Sequence, residues 1–209
     1  VDTSGDTIKV GALNSLSGTM AISEVTVRNA IDLAVEQINT DGGVMGKQIQ
    51  LVAEDGASEP AVFAEKAQKL ISSDCVAAVF GGWTSSSRKA MLPVLESRNH
   101  LLMYPIQYEG EECSAQVLYA GATPNQQAGP AVDWLFRTHG RRFVLAGSDY
   151  VYPRTANRII RQHVESLGGE VAGEFYEDLG AMDFDVMIER IRRSLPGGGI
   201  IINTINIGR

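Results

Sequence analysis

The amino-acid sequence predicts an α/β fold built from doubly wound parallel sheets, and two features of the chain support this. Short apolar runs of strand length alternate with stretches of helical periodicity from one end of the chain to the other. The apolar runs are continuous rather than alternating in polarity, which is typical of parallel strands that helices cover on both faces.

Strand and helix segments alternate through the first part of the chain. The predicted strands are residues 8–13, 48–53, 76–80, 101–104 and 117–120. The first helix places its apolar residues at spacings of three and four, and it ends at the glycine-containing turn Asp41–Gly43. The apolar face of this helix consists of Val27, Ala30, Ile31, Ala34, Val35 and Ile38.

Two more helices are predicted in the same part. Ser58 as the capping residue and Pro60 in the first turn begin the second helix. Its inner face consists of Phe63, Ala64, Ala67, Leu70 and Ile71. The third helix begins near Ser85 or Ser86, after a pair of glycines, and runs to Asn99.

A change of composition suggests where one lobe ends. The segment Gly121–Asn125 is rich in turn residues and predicts a crossing between two lobes. The expected domains are an N-terminal lobe, residues 1–122, and a second lobe, residues 123–209, both incomplete. In the second lobe the predicted helices are 126–138, 154–167 and 183–195, and the predicted strands are 143–147, 170–176 and 199–203.

Composition excludes several classes of partner. The net charge is −7 and the sequence pI is about 5.0, so neither nucleic acid nor an anionic membrane surface is an expected partner. No run of about 18 apolar residues occurs, so no membrane insertion is expected. The polar start Val1–Asp6 suits the N-terminus of a mature exported protein or a simple boundary.

The two cysteines do not fix the compartment. No CxxC pair is present, which excludes a zinc ribbon or a thioredoxin motif. Cys75 directly precedes an apolar run and is expected to be buried. A disulfide with Cys113 is one alternative, and two separate thiols are the favoured one.

The loops that follow the strands hold much of the aromatic content of the chain. Ligands of open parallel sheets bind beyond the carboxyl ends of the strands. The aromatic residues in these loops are Trp83, Tyr104, Tyr108, Tyr150 and Tyr152. Hydroxyl and amide groups accompany them and fixed charges are few, which predicts a small-molecule pocket. The competing interpretation, about equally good for any single residue, is that these side chains cap the core.

Enzymatic function is not expected. No HExxH, GxSxG, GxxxxGK[ST] or GxGxxG pattern occurs, so the signatures of zinc proteases, α/β-hydrolases and nucleotide-binding proteins are absent from the sequence. Asp149 and Glu109 are the best acid–base candidates, but solvated or capping carboxylates explain them more simply. Neither a metal nor a cofactor is expected.

Several segments carry a family resemblance that covers nearly all of the chain. Ile8–Gly18 and Asn39–Gly46 resemble type I periplasmic binding proteins in general. Four further segments resemble the urea and short-chain amide branch, which includes urea-binding components of ABC importers and an amide-sensing regulator of amidase expression. These segments are Trp83–Lys89, Tyr104–Gly110, Pro124–Gln127 and Gly147–Arg154.

The resemblance implies a receptor that closes on a small polar ligand between two lobes. It implies that Ser85, Tyr104, Tyr150 and Tyr152 face the ligand. Trp83, Thr84 and Gln107 are implied to lie close by. The implied partners are a small-molecule ligand and an ABC permease, or a signalling protein in place of the permease. The implied location is periplasmic or extracytoplasmic, and cytoplasmic for an amidase-type regulator.

The chain departs from the family pattern in two places. Ile106 stands where the amide regulator has a threonine, so the urea importers are more similar. The segment Asn206–Arg209 lacks an acidic residue that the family has after the strand. Family members also continue beyond this point, so the sequence is expected to be truncated, with the C-terminal part of the fold missing.

Three alternatives to a urea or amide importer component stay open. The first is a sensor in which ligand-driven closure acts on a signalling partner. The second is a receptor for branched-chain or other amino acids, for which Asp149 or Glu109 would pair with the ammonium group. The third is an enzyme that turns over urea or acetamide.

Overall fold

The computed structural model describes residues 5–206, which form two compact units. Among these residues, the first unit consists of 5–106 and 112–121, and the second consists of 107–111 and 122–206. The lobe limits drawn from the sequence, 1–122 and 123–209, stay a prediction. Residues 1–4, in the polar start, and 207–209, in the segment without an acidic residue, lie outside the described range.

The first unit contains a parallel sheet of five strands in the order β2-β1-β3-β4-β5. The strands are β1 (Thr7–Asn14), β2 (Gln48–Asp55), β3 (Val79–Gly81), β4 (Leu102–Tyr104) and β5 (Val117–Tyr119). The helices are α1 (Ala21–Thr40), α2 (Pro60–Ser72) and α3 (Ser85–Ser97). Because the strands are parallel, all their carboxyl ends lie at one edge of the sheet, where the candidate site residues follow β3 and β4.

The second unit contains a parallel sheet of three strands in the order β7-β6-β8. The strands are β6 (Arg142–Ser148), β7 (Glu170–Glu177) and β8 (Ile200–Thr204). The helices are α4 (Ala128–His139), α5 (Val151–Ser166) and α6 (Asp185–Ser194). The core of this unit consists of Val132, Phe143, Leu145, Ile160, Val164 and Ile200. An α/β fold with parallel sheets is therefore confirmed, and each predicted strand and helix is present with shifted ends.

The predicted inner face of α2 forms part of the core of the first unit. Phe63, Ala67 and Leu70 are fully buried, as the spacing of three and four predicts. The buried face of α3 adds Met91 and Leu95, and these two helices pack on each other. The apolar surface that they remove from water stabilises this unit.

The apolar face of α1 is covered much less than the sequence suggests. None of its six predicted apolar residues is buried, and Ile38 is 38% exposed. Several of them line a groove of about 440 Å³ against the sheet, whose wall includes Phe80, Met103 and Leu118. The helix itself is confirmed, but within the described residues no element closes this groove. Leu118 accordingly stays 55% exposed.

Two local predictions are wrong. Ser58 does not cap α2: the N-cap is Glu59, without a side-chain cap bond, and the Ser58 hydroxyl instead accepts from the backbone N–H of Met20 at 3.0 Å. Cys75 is exposed rather than buried, because the chain turns there with φ of 57° before it enters the sheet. Cys75 and Cys113 are both free thiols in the structure.

Candidate functional site

Tight packing at the carboxyl end of β3 fixes the start of the first group of candidate residues. Gly81 lies beside Leu13 of β1 and has φ of +124°. A Cβ at Gly81 would lie 2.3 Å from the carbonyl oxygen of Leu13, so only glycine fits. The chain then turns through Gly82 and enters α3, which places Trp83, Thr84 and Ser85 immediately beyond the sheet.

The N-terminus of α3 is capped by the hydroxyl of Thr84, the residue before the predicted start of the helix. Thr84 Oγ1 accepts a hydrogen bond from the backbone N–H of Ser87 at 3.1 Å and lies 2.8 Å from Ser87 Oγ. The N–H groups of the first helical turn have no partner within the helix itself. Together with the positive end of the helix dipole, such groups favour a carbonyl or anionic oxygen.

Tyr104, at the end of β4, is brought against the same loop. Its side chain is fully buried, and its hydroxyl donates to the backbone carbonyl of Trp83 at 2.5 Å. Ser85 is also buried, with 2% of its surface exposed. The structure therefore joins Trp83, Thr84, Ser85 and Tyr104 into one group, which we call the first strand-end group.

A buried arginine lies behind the first strand-end group. Arg88 Nη1 donates to Ser85 Oγ at 3.1 Å, and the guanidinium carbon lies 4.9 Å from the centre of the Tyr104 ring. Arg88 Nε donates to Glu112 Oε1 at 2.7 Å. Burial opposes the ionisation of Glu112, but hydrogen bonds from Arg88, Lys89 and Tyr119 outweigh it and lower the pKa of Glu112 to about 2.

A second buried carboxyl group lies near the end of β1. Glu24 in α1 is fully buried, and its Oε2 accepts from the backbone N–H of Ser15 at 2.7 Å. Burial raises the pKa of Glu24 to about 7, the Ser15 bonds oppose this rise, and the charge of Asp55 adds to it. Glu24 Oε1 and both polar side-chain atoms of Asn14 are buried without a hydrogen-bond partner among the described residues.

The second unit holds its candidate tyrosines at the end of β6. The ring centres of Tyr150 and Tyr152 lie 6.4 Å apart. The side-chain amide of Asn206 donates to the Tyr150 hydroxyl, and the Asn206 backbone N–H donates to Ser148 Oγ at 3.0 Å. We call Tyr150 and Tyr152 the second strand-end group. Tyr152 belongs to the first turn of α5, which starts earlier than the sequence suggests.

A cavity of about 250 Å³ opens beside Tyr152 within the second unit, and Tyr108, Asn203 and Thr204 are also among its walls. Burial raises the pKa of Tyr152, and the nearby charge of Glu109 raises it further. Gln107, the remaining candidate residue, is exposed on segment 107–111 of the same unit. This cavity has a mixed polar and apolar lining and the dimensions of a small solute.

The two carboxylates proposed for an amino-acid ligand differ in environment. Asp149 is 44% exposed and forms a two-point ion pair with Arg154, at 2.8 and 2.9 Å. Hydrogen bonding from Arg154 lowers the pKa of Asp149. Glu109, by contrast, is only 2% exposed. Of the two, Glu109 has the burial expected of a residue that selects a cationic group.

Residues 5–206 contain neither a metal-ligand cluster nor a membrane-spanning helix. No group of three or more His, Cys, Asp or Glu side chains in this range is arranged to hold a metal ion. None of the helices in the same range has both the length and the hydropathy needed to cross a membrane.

Sequence patterns missed the residues that support the first strand-end group. Arg88, Met91 and Leu95 occupy one face of α3, so an arginine within an apolar stripe was the available signal for a buried, paired charge. Glu24 gave a similar signal, since it precedes Val27 and Ile31 at helical spacing. No sequence signal indicated Glu112, because its pairing with Arg88 joins residues 24 positions apart.

The chain is similar to known proteins over most of its length. The family described as "Periplasmic binding protein domain" matches residues 8–208. A leucine-, isoleucine-, valine-, threonine- and alanine-binding protein of Pseudomonas aeruginosa is 25% identical over 193 residues, covering 90% of this chain and 52% of that protein. A Leu/Ile/Val-binding protein homolog of Brucella abortus is 37% identical over 89 residues, covering 43% of this chain and 22% of that protein.

A solved structure confirms the fold. A solute-binding protein of an ABC transporter from Rhodopseudomonas palustris, in complex with 3,4-dihydroxybenzoic acid, superposes with a TM-score of 0.87 at 22% identity. The match covers 98% of this chain and 56% of that protein. The present chain thus spans about half the length of this structure and of the Pseudomonas relative, and 22% of the Brucella relative.

Proposed function

The chain belongs to the periplasmic binding protein family, and we propose that it binds urea or a short-chain aliphatic amide outside the cytoplasm for an ABC importer. We propose that the chain captures this solute without changing it chemically. The observation that carries it is the character of the two strand-end groups, which present hydroxyls, ring faces and helix-terminal N–H groups. Two of the charged side chains next to these groups are paired with an opposite charge, Arg88 with Glu112 and Arg154 with Asp149.

The chemistry of a neutral amide matches these groups. An amide offers a carbonyl oxygen that accepts hydrogen bonds and an NH₂ group that donates them. The first turn of α3 and Ser85 supply donors of the kind the carbonyl requires. Tyrosine oxygens and backbone carbonyls accept from NH₂ groups. We propose that Trp83, Thr84, Ser85, Tyr104, Gln107, Tyr150 and Tyr152 contribute to binding.

Selectivity would come from unmatched polar groups. A buried donor or acceptor that a wrong ligand leaves without a partner costs about 1–3 kcal/mol. A ligand that lacks either the carbonyl or the NH₂ group would lose at least one such contact. Urea and acetamide satisfy both requirements, whereas an alcohol or a hydrocarbon of the same size does not.

An amino acid is the second candidate ligand. Relatives named as amino-acid-binding proteins support it, and so does the buried Glu109, whose charge acts on Tyr152. An ammonium group needs a carboxylate partner of this kind, because a buried charge without a partner is strongly unfavourable. Under this alternative, replacing Glu109 by glutamine would abolish binding, whereas it would reduce the affinity for a neutral amide much less.

A thermal-shift screen tests the proposal. The chain is heated with urea, acetamide, formamide and a panel of amino acids, each over a wide concentration range. A ligand at 100 times its Kd stabilises the protein by about 2.7 kcal/mol, which is readily detected. A shift with urea or a small amide supports the proposal. A shift with leucine or another amino acid alone contradicts it and favours the second candidate.

A further inference from the structure

We infer that Arg88 is the positioning residue that sets the geometry of the first strand-end group for its solute. The inference rests on the proposed function, because it concerns how the proposed ligand residues are held. Arg88 itself is fully buried, so its role is to act through Ser85 and Tyr104 rather than to meet solvent.

The contacts of Arg88 reach two of the proposed ligand residues at once. It lies three residues after Ser85, on the same face of α3, and donates to Ser85 Oγ at 3.1 Å. An N–H that donates to this oxygen turns the Ser85 hydroxyl proton away from Arg88. The guanidinium plane also lies over the ring of Tyr104, at 4.9 Å from its centre, within cation–π range.

Tyr104 passes this constraint to the loop before α3. Its hydroxyl donates to the carbonyl of Trp83, so a shift of the Tyr104 ring moves the backbone next to Thr84 and Ser85. Arg88 therefore controls two routes to the same loop, one through the Ser85 hydroxyl and one through the Tyr104 ring. A lysine can supply the charge at this position but not the planar fork that makes both contacts.

Glu112 holds the arginine in place. Its carboxylate accepts from Arg88 Nε at 2.7 Å, from Lys89 Nζ at 2.7 Å and from the Tyr119 hydroxyl at 2.7 Å. The Glu112 side chain is 9% exposed, so the pair is shielded from water. A buried guanidinium is retained only where its charge and its donors are matched in this way. Burying two charges costs free energy, and apolar side chains would pack α3 without that cost.

The test uses Trp83 as a local reporter. The chain contains two tryptophans, so Trp134→Phe leaves Trp83 as the sole one. In this background we compare Arg88→Met, Arg88→Lys and Glu112→Gln with the control Arg98→Met, which makes the same substitution at the exposed end of the same helix. Solute affinity and Trp83 emission are measured at a temperature where circular dichroism shows every variant to be folded.

The expected result is a graded loss of affinity. Arg88→Met should weaken binding of urea or acetamide, whichever the parent binds, at least tenfold. The affinities of Arg88→Lys and Glu112→Gln should fall between that of Arg88→Met and that of the parent, and the affinity of Arg98→Met should stay within twofold of the parent. A purely structural arginine would lower the unfolding temperature without changing the affinity of the folded protein. The inference is overturned if folded Arg88→Met binds with an affinity within twofold of the parent. If Arg88→Met does not fold, the same criterion applies to folded Glu112→Gln.

Failure of the proposed function has a different signature. If the parent protein binds none of the screened solutes, the proposed function fails, and the emission of Trp83 decides about Arg88 without any ligand. Arg88→Met must then shift that emission relative to the parent while Arg98→Met leaves it unchanged. An unchanged Trp83 emission in Arg88→Met shows that Arg88 does not position this loop.

Discussion

The two strand-end groups occupy the same kind of place, at the carboxyl ends of parallel strands, but they are held in different ways. In the first group, Ser85 and Tyr104 are buried and fixed by the guanidinium of Arg88. In the second, Tyr150 and Tyr152 are partly exposed, and the neighbouring ion pair of Asp149 with Arg154 lies in solvent. The first group is therefore preorganised by a buried charge, whereas the ion pair beside the second group is open to water.

The largest expected effect on the free energy of unfolding comes from the buried ion pair, which we compare with the exposed one by matched amide substitutions. Glu112→Gln leaves the buried Arg88 without its countercharge and should reduce the free energy of unfolding by about 3–5 kcal/mol. Asp149→Asn removes one partner of an exposed pair and should cost no more than about 1 kcal/mol. Unfolding is followed in guanidinium chloride, since urea is a proposed ligand. Equal losses in the two variants would show that the groups are not held differently.

The next effect is a pH dependence that comes from Glu24. Its pKa is about 7 in the folded chain and 4.5 in the reference state, so the folded state holds the extra proton. This contribution to stability is complete below pH 4.5 and is lost as the pH rises through 7. A shift of this size corresponds to roughly 3 kcal/mol. Glu24→Gln should therefore remove the decline between pH 4.5 and 7 and be more stable than the parent at pH 8.

Glu112 provides the opposite control in the same titration. Its pKa is lowered to about 2, so its contribution is present above pH 4.5 and is lost as the pH falls through 2. Glu24→Gln should leave this acid limb unchanged. Measuring the free energy of unfolding from pH 2 to 9 separates the pH range of Glu112 from that of Glu24. A Glu24→Gln variant whose profile still declines between pH 4.5 and 7 would mean that another group, and not Glu24, causes the decline.

The smallest expected effect concerns the helix that starts the first group. Thr84→Val removes the side-chain cap of α3 and should cost about 1 kcal/mol, while Thr84→Ser retains a capping hydroxyl and should cost less than half as much. The helix α5 of the second group starts at Val151 without a side-chain cap bond from its N-cap, Tyr150. Differential scanning calorimetry of the two variants checks this. An unstable Thr84→Ser would show that the methyl group, rather than the hydroxyl, matters.

Local sequence patterns predicted the order of strands and helices because each element carries its own periodicity. They predict a start for α5 that is too late, at residue 154, whereas the helix begins at Val151 and contains Pro153 in its first turn. A proline is acceptable within the first turn, where its missing N–H has no intrahelical partner to lose. Tyr152 therefore lies on the helix rather than in a loop.

The same patterns could not predict contacts between segments that are distant in the sequence. The amphipathic face of α1 was recognised, yet its burial depends on which segments cover it, and the groove beside Phe80 is lined from several strands. Helical spacing alone places Arg88 one turn after Ser85, but it does not show that the arginine is buried and donates to Ser85. The further link from Arg88 to Glu112 required the fold itself. The seven proposed ligand residues came from family resemblance and stay a prediction.

The most direct test of the account is calorimetric titration of the chain with urea, acetamide and leucine, alongside Ser85→Ala from the first group and Tyr152→Phe from the second. We expect that urea or acetamide binds and that each substitution weakens binding by about tenfold, as expected for loss of one hydrogen bond worth about 1.4 kcal/mol. Binding of leucine but of neither urea nor acetamide, or an affinity that neither substitution changes, would contradict it.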